Sequence, residues 1–200
     1  MRMRKGDATR QGILAHAAGL ASQLGLDGLT IGRLAEDLEL SKSGLFAHFR
    51  SKEALQLQVL EHAAARFTEV VLRPALAAPR GEPRLRAVFE RWRRWPKESG
   101  MPGGCFFVQA AVELDDQPGP VRDLLVRQQK DWLDAIATVV RSGVAEGHFR
   151  RDVDPEQVAH ELHGIMLGWH HAARLLRDPK AEARARAAFE ALVARARAGA

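Results

Sequence analysis

Tyrosine is absent from the 200 residues, cysteine occurs once, and isoleucine and threonine occur four times each. With β-branched and aromatic residues this scarce, strands have little to be built from. Alanine (33) and leucine (24) fill fifty-seven positions, and both are strong helix formers. The expectation is an all-α chain. A lone cysteine excludes an internal disulfide framework and a sulfur-rich metal cluster, which fits a reducing cytoplasm. Long apolar runs are missing too. Nothing approaches the roughly 20 residues that span a bilayer, and Gly6–Gly12 with His16 interrupts the run a signal peptide would need after the basic Met1–Lys5 opening. A soluble cytoplasmic protein without membrane contact is expected.

What is present is a net charge of +5 and a hydrophobic fraction of 46%, enough for a real core. The excess of base directs attention to nucleic acid, but its distribution does not. Residues 1–54 hold eight Lys/Arg against six Asp/Glu, a net of +2. Much of the remaining basicity is arginine in Arg84–Arg94 and Arg174–Arg197, which reads more naturally as solvated helix faces than as a phosphate track. Charge alone names no partner.

Ile13, Leu14, Ala17, Leu20, Ala21 and Leu24 recur at three- and four-residue steps, marking an amphipathic helix that ends near Gly25. After a turn at Asp27-Gly28, Thr30 caps a short helix whose Ile31, Leu34, Ala35 and Leu38 share a face. Ser41 caps a third, very short helix ending near Arg50. Ser51-Lys52-Glu53 opens a long helix towards Leu72, closed by Pro74 and Pro79. Further helices are predicted at about 83–98, 104–115, 119–146, 154–177 and 179–198, about nine in all. Asp154-Pro155 and Asp178-Pro179 each place a capping side chain before a helix-starting proline.

Two short helices joined by a tight turn over residues 30–49, behind a supporting helix, have the proportions of a helix-turn-helix. Ala35 is small where the helices cross, Leu40 plugs the turn, and Leu45 with Phe49 anchors the second helix, leaving Lys42, Ser43, Gly44 and His48 outward. A plain three-helix core fragment is the competing reading. The run from Leu29-Thr30-Ile31-Gly32-Arg33-Leu34-Ala35 through Leu40-Ser41-Lys42-Ser43-Gly44-Leu45-Phe46-Ala47-His48-Phe49-Arg50-Ser51-Lys52-Glu53-Ala54-Leu55 resembles the amino-terminal domain of the TetR family of bacterial transcriptional regulators. The resemblance is dense over residues 9–60, and beyond them it is one of length and helix pattern. One departure stands out: Glu39 occupies a turn position that is commonly glycine in the family. A non-glycine residue in a left-handed turn costs of order 1–2 kcal/mol.

The resemblance implies a helix-turn-helix DNA-binding domain over residues 1–50, a connecting helix over 51–78, and a larger helical ligand-binding and dimerisation domain within 51–200. It implies that the helix Lys42–Phe49 enters the major groove of a double-stranded DNA operator, with Thr30 and Lys52 clamping phosphates. Helix amino termini suit that role, since they carry unpaired N–H groups and partial positive charge. Lys42 and His48 become candidate base contacts. Ser43 and Gly44 permit close approach, and Phe46 packs sideways against sugar or phosphate. Arg33, Ser41 and Leu45 complete the expected DNA-binding set. Arg2, Arg4 and Lys5 form either a groove-seeking arm or a solvated tail.

One short recognition helix covers few base pairs, so a homodimer on a two-fold operator is expected, with half-sites about one turn (~34 Å) or a multiple apart. The resemblance places its interface on the last two long helices. There, Val158, Leu162, Ile165, Leu175, Phe189, Leu192 and Val193 either supply the interface or bury within their own chain.

A small-molecule effector pocket in the larger domain is a further implication. Trp92, Trp95, Phe106, Trp132, Met166, Leu167 and Trp169 are suitable apolar material, and Gln109, Glu113, His163 and His170 are candidates to orient a ligand. The same apolar residues equally suit a core. Cys105, at a helix start after Gly103-Gly104, fits either a redox-sensing thiolate or an inert buried cysteine. No metal is expected. His163 and His170 share a face but stand about 10.5 Å apart along the helix, and His160-Glu161-Leu162-His163 has the wrong spacing for the zinc-protease motif. With no phosphate-binding loop, dinucleotide fingerprint or nucleophile elbow, neither cofactor nor enzyme activity is expected. The sequence thus points to a repressor released from a palindromic operator by a small molecule. The alternative is a helical small-molecule-binding or enzymatic domain whose first helices merely pack and have no duplex affinity.

Overall fold

The computed structural model describes residues 10–199. The basic positions Arg2, Arg4 and Lys5 lie outside the described residues. The chain forms α1 (Arg10–Gly28), α2 (Ile31–Leu38), α3 (Lys42–Phe49), α4 (Lys52–Phe67), α5 (Arg73–Leu76), α6 (Glu82–Glu98), α7 (Phe106–Leu114), α8 (Pro120–Ala145), α9 (Pro155–Arg174) and α10 (Ala181–Ala196). The expected helices are all present. The long fourth one continues through a π-helical segment, Thr68–Leu72, into single-turn α5, whose first turn accommodates Pro74 because that amide needs no helical partner. Among the described residues the sole extended pairing is an isolated antiparallel bridge between Phe149 and Arg197, and no helix is long and apolar enough to cross a membrane.

The described residues divide into two compact units. One comprises the chain up to Phe67 together with Pro96–Gln128, and the other Thr68–Trp95 together with the chain from Gln129 onward. In the first, α1 packs on α4 and α7, while α2 and α3 pack on each other and α3 on α4. Ala17, Ala18 and Ala21 are buried on α1, and their small side chains let its neighbours approach closely. Ile13, Leu34, Leu45, Phe49, Leu55, Val59 and Leu60 fill the space between, each contributing about 1.5–3 kcal/mol by leaving water. The helix-turn-helix therefore sits on a core of its own.

The expected end of α1 near Gly25 appears as a break inside the helix. Gly25 takes φ +78°, ψ 168°, and helical geometry resumes to Gly28. A Cβ at this position would meet the strain of positive φ and would also lie 2.8 Å from both carboxylate oxygens of Glu113.

In the second unit α9 packs along α10. Five of the residues considered for a dimer interface, Val158, Leu162, Phe189, Leu192 and Val193, are buried within their own chain, while Leu175 is 70% exposed. That pattern selects burial within the chain for these five, whose large side chains form the seam between the two helices. Phe189 also stacks on Phe89 of α6, with ring centroids 4.3 Å apart. An ion-pair ladder runs alongside: Arg86 to Glu190, Arg93 to Glu182, Arg186 to Glu90 and Arg197 to Glu82. Arg197, working against burial and joined by Arg86, lowers the Glu82 carboxyl from an ordinary 4.5 to about 2.

Candidate nucleic-acid interface

Three hydroxyl caps build the helix-turn-helix. Thr30 is extended, and its Oγ1 accepts the Arg33 amide at 3.0 Å. Ser41 does the same for the Gly44 amide at 3.2 Å, and Ser51 for the Ala54 amide at 3.0 Å. Between the first two, Glu39 adopts φ 54°, ψ 36°, so the left-handed turn is made with a side chain in place. The Leu40 amide closes it by donating to the Ala35 carbonyl at 2.9 Å.

The rotation of α3 is fixed by Leu45 and Phe49, both buried. At about 100° per residue, the direction opposite these anchors is occupied by Ser43, Gly44 and Ala47, and all three are exposed. Phe46, 56% exposed, and His48 stand on the two flanks. Leu45 therefore does not belong in the DNA-binding set: a side chain holding the helix to its core cannot also touch a base. Ala47, absent from that set, stands at the centre of the outer face. Stepping round the helix from the two anchors was the signal that identifies it.

Lys42 takes a different course from the expected one. A Cβ on Gly32 would lie 2.9 Å from Lys42 Cε and 3.4 Å from Nζ, so the ammonium group rests over the first turn of α2. It joins the Thr30-capped amides there, an arrangement suited to an anion. Arg33 is exposed on the same helix. Lys52, at the start of α4, supplies a second cation. Its Nζ lies 3.0 Å from Asp27 Oδ1. The hydrogen bond from Lys52, followed by one from Gln117, holds the Asp27 carboxyl below the ordinary carboxylate range.

Glu113 is a further correction. Considered as a ligand-orienting residue, it instead accepts the Leu26 amide at 2.6 Å and the Asp27 amide at 2.5 Å, the donors that follow the break at Gly25. Gln117 donates to Asp27 Oδ2 at 3.3 Å and to the Glu113 carbonyl at 3.0 Å. Nearer the start of α7, the Gly103 amide donates to Ser22 Oγ at 2.9 Å, and a Cβ on Gly103 would fall 1.6 Å from the Ser22 carbonyl oxygen. The flanks of α7 are thus fastened to α1 at both ends.

The remaining effector candidates fall in both units. In the first, Cys105 and Phe106 are buried and Gln109 is exposed; Cys105 caps α7 without a side-chain cap bond. In the second, Trp95 is fully buried, and Trp92 meets Trp169 edge-on with centroids 5.7 Å apart. Trp132 on α8 and Met166 on α9 are buried, and Leu167 on α9 is exposed. Burial first, then His160, lowers the pKa of His163; burial, then Arg174 and His171, lowers that of His170. Both shifts favour the neutral imidazole, and the buried Nδ1 of His163 has no hydrogen-bond partner. Among the described residues no three His, Cys, Asp or Glu side chains group as a metal site.

Comparison with known proteins bears on this geometry. A family profile described as "Bacterial regulatory proteins, tetR family" matches residues 13–59, and one described as "Tetracyclin repressor-like, C-terminal domain" matches residues 81–189. The chain is 26% identical to the transcriptional repressor NemR of Escherichia coli, over 85% of this chain and 86% of NemR. It is also 26% identical to the repressor KstR2 of Mycobacterium tuberculosis, over 76% of this chain and 74% of KstR2. A TetR regulator from Chloroflexus aurantiacus superposes with a TM-score of 0.82 at 28% identity, covering 96% of each chain. Both halves of the sequence, the capped helix-turn-helix and the larger helical region behind it, thus match one group, and the chain belongs to the TetR family of bacterial regulatory proteins.

Proposed function

We propose that this chain is a cytoplasmic transcriptional repressor that binds a palindromic operator as a homodimer and leaves it when a small molecule binds the larger helical region. The observation that carries this reading is the face of α3. It is exposed, small at its centre, and flanked by two capped helix starts that carry Lys42 and Lys52. Such a face suits a major groove, and the two cationic starts suit its bordering phosphates. The similarity to NemR and KstR2, both named as repressors, supports the sign of regulation. The packing reading of the first helices leaves this exposed face without a use.

Dimerisation is supported by what α9 and α10 leave uncovered. Along α9, Gly164, Leu167 and Gly168 are exposed, as is Leu175 just past its end, and nothing lies within 4 Å of a Cβ built on either glycine. Along α10, Ala183, Ala187, Ala191 and Ala194 are exposed. Small residues on two adjacent helices permit the close crossing of a four-helix interface.

The effector site draws on Trp92, Trp132, Met166, Leu167, Trp169, His163 and His170 of the second unit. An imidazole beside apolar side chains would suit an apolar ligand carrying one hydrogen-bonding group. Release requires that the ligand bind the operator-free conformation more tightly, since equal affinity for both shifts nothing. Selection of bound sequences from random duplex DNA tests the reading. Recovery of an inverted repeat supports it, and absence of any enrichment contradicts it.

A further inference from the structure

The outer face of α3 is poor in the chemistry that usually reads base pairs. Its eight residues, Lys42–Phe49, include no Arg, Asn, Gln, Asp or Glu, the side chains that take guanine, adenine or cytosine by paired or charge-assisted hydrogen bonds. The one long cation, Lys42, lies over Gly32 on the neighbouring helix. Leu45 and Phe49 are buried. Ser43 directs its hydroxyl towards Ser41 Oγ, 3.4 Å away. What remains at the centre is the methyl group of Ala47, with Ser43 and Gly44 one turn earlier and the Phe46 ring at the flank.

This composition selects a partner. In the major groove the one apolar group on a base edge is the C5 methyl of thymine. Ser43 and Gly44 are small enough to let the helix settle deeply, which a side chain as short as alanine requires to reach a base at all. The exposed Phe46 ring borders that contact on one side and limits water there.

Resting on the DNA-binding reading above, we propose that Ala47 is a specificity-determining residue, packing its methyl against the methyl of one thymine in each operator half-site. The recognition is apolar: the pairing is methyl on methyl, with His48 at its flank.

The test removes the methyl from the DNA and then from the protein. The full chain selects its operator from random duplexes. Each half-site thymine is then replaced by deoxyuridine, symmetrically and one position at a time, and binding is titrated. One position weakens binding about fourfold per half-site, hence about fifteenfold for the symmetric duplex, the effect of one buried methyl. An Ala47→Gly chain loses that discrimination, binding the thymine and uridine duplexes alike, and circular dichroism checks that it folds. Equal binding to thymine and uridine at every position overturns the proposal, as does an Ala47→Gly chain that keeps the uridine penalty. If no duplex is enriched at all, the DNA-binding reading falls instead.

Discussion

The carboxylate of Glu113, on α7, accepts the backbone amide of Leu26, on α1, at 2.6 Å, and its second oxygen takes the next amide, of Asp27, at 2.5 Å. These amides follow the break at Gly25 and have no carbonyl four residues back in regular geometry, so the carboxylate substitutes for the missing turn. Glu113→Ala leaves two donors unpaired and is expected to destabilise the protein by about 2 kcal/mol, the scale of hydrogen bonds to a charged group at a partly buried site. Denaturant unfolding measures it. A loss within error of zero contradicts the role of Glu113 as a brace.

The brace ends at Asp27, which holds Lys52. On the proposed reading a phosphate would compete with Asp27 for the same ammonium group, so Asp27→Asn is expected to tighten operator binding about two- to fivefold, the range of an exposed ion pair. Lys52→Ala is expected to weaken binding to all duplexes and to lower the slope of affinity against salt by about one unit. Fluorescence anisotropy across a salt series reads both. An unchanged slope removes Lys52 from the interface.

Glu39 holds a left-handed conformation with a side chain attached. Replacing it by glycine removes the clash between Cβ and backbone, partly offset by the greater freedom of glycine in the unfolded chain. Glu39→Gly is expected to stabilise the protein by about 0.5–1 kcal/mol, measured by chemical denaturation; destabilisation contradicts the strain.

Glu82 gives the protein an acid-sensitive joint. Arg197, with Arg86, lowers its carboxyl to about 2 from an ordinary 4.5, so the folded state binds its proton more weakly than the unfolded state does. The resulting stability is fully present above pH 4.5 and is lost as pH falls from there towards 2. Solvent screening reduces it to about 1 kcal/mol. Glu82→Gln is expected to flatten that part of the stability profile, and a profile of unchanged steepness contradicts the assignment.

Local chemistry made much of this fold legible. Thr30, Ser41 and Asp154 cap the helices their spacing assigns to them, because a cap reaches amides only two or three residues away. Asp178 shows the limit of such signals: its carboxylate accepts the Lys180 amide at 2.9 Å, and α10 starts two residues later than the proline suggests. The site was legible where orientation follows from the same local rules and illegible where a distant partner decides. Glu113 resembles a pocket acid until its partners, 86 and 87 residues away, are in place. Lys42 looked free to reach bases, but Gly32, ten positions earlier, leaves the space its side chain occupies. Val158 and Leu162 had the periodicity of an interface, and periodicity does not distinguish a partner chain from α10 of the same chain.

Hydroxyl-radical footprinting of the selected duplex, with the number of chains bound per duplex counted by titration, tests the central claim most directly. Two chains should protect two tracts centred about one helical turn (~34 Å) or a multiple apart. A single protected tract, one chain per duplex, or no protection at all would contradict the account.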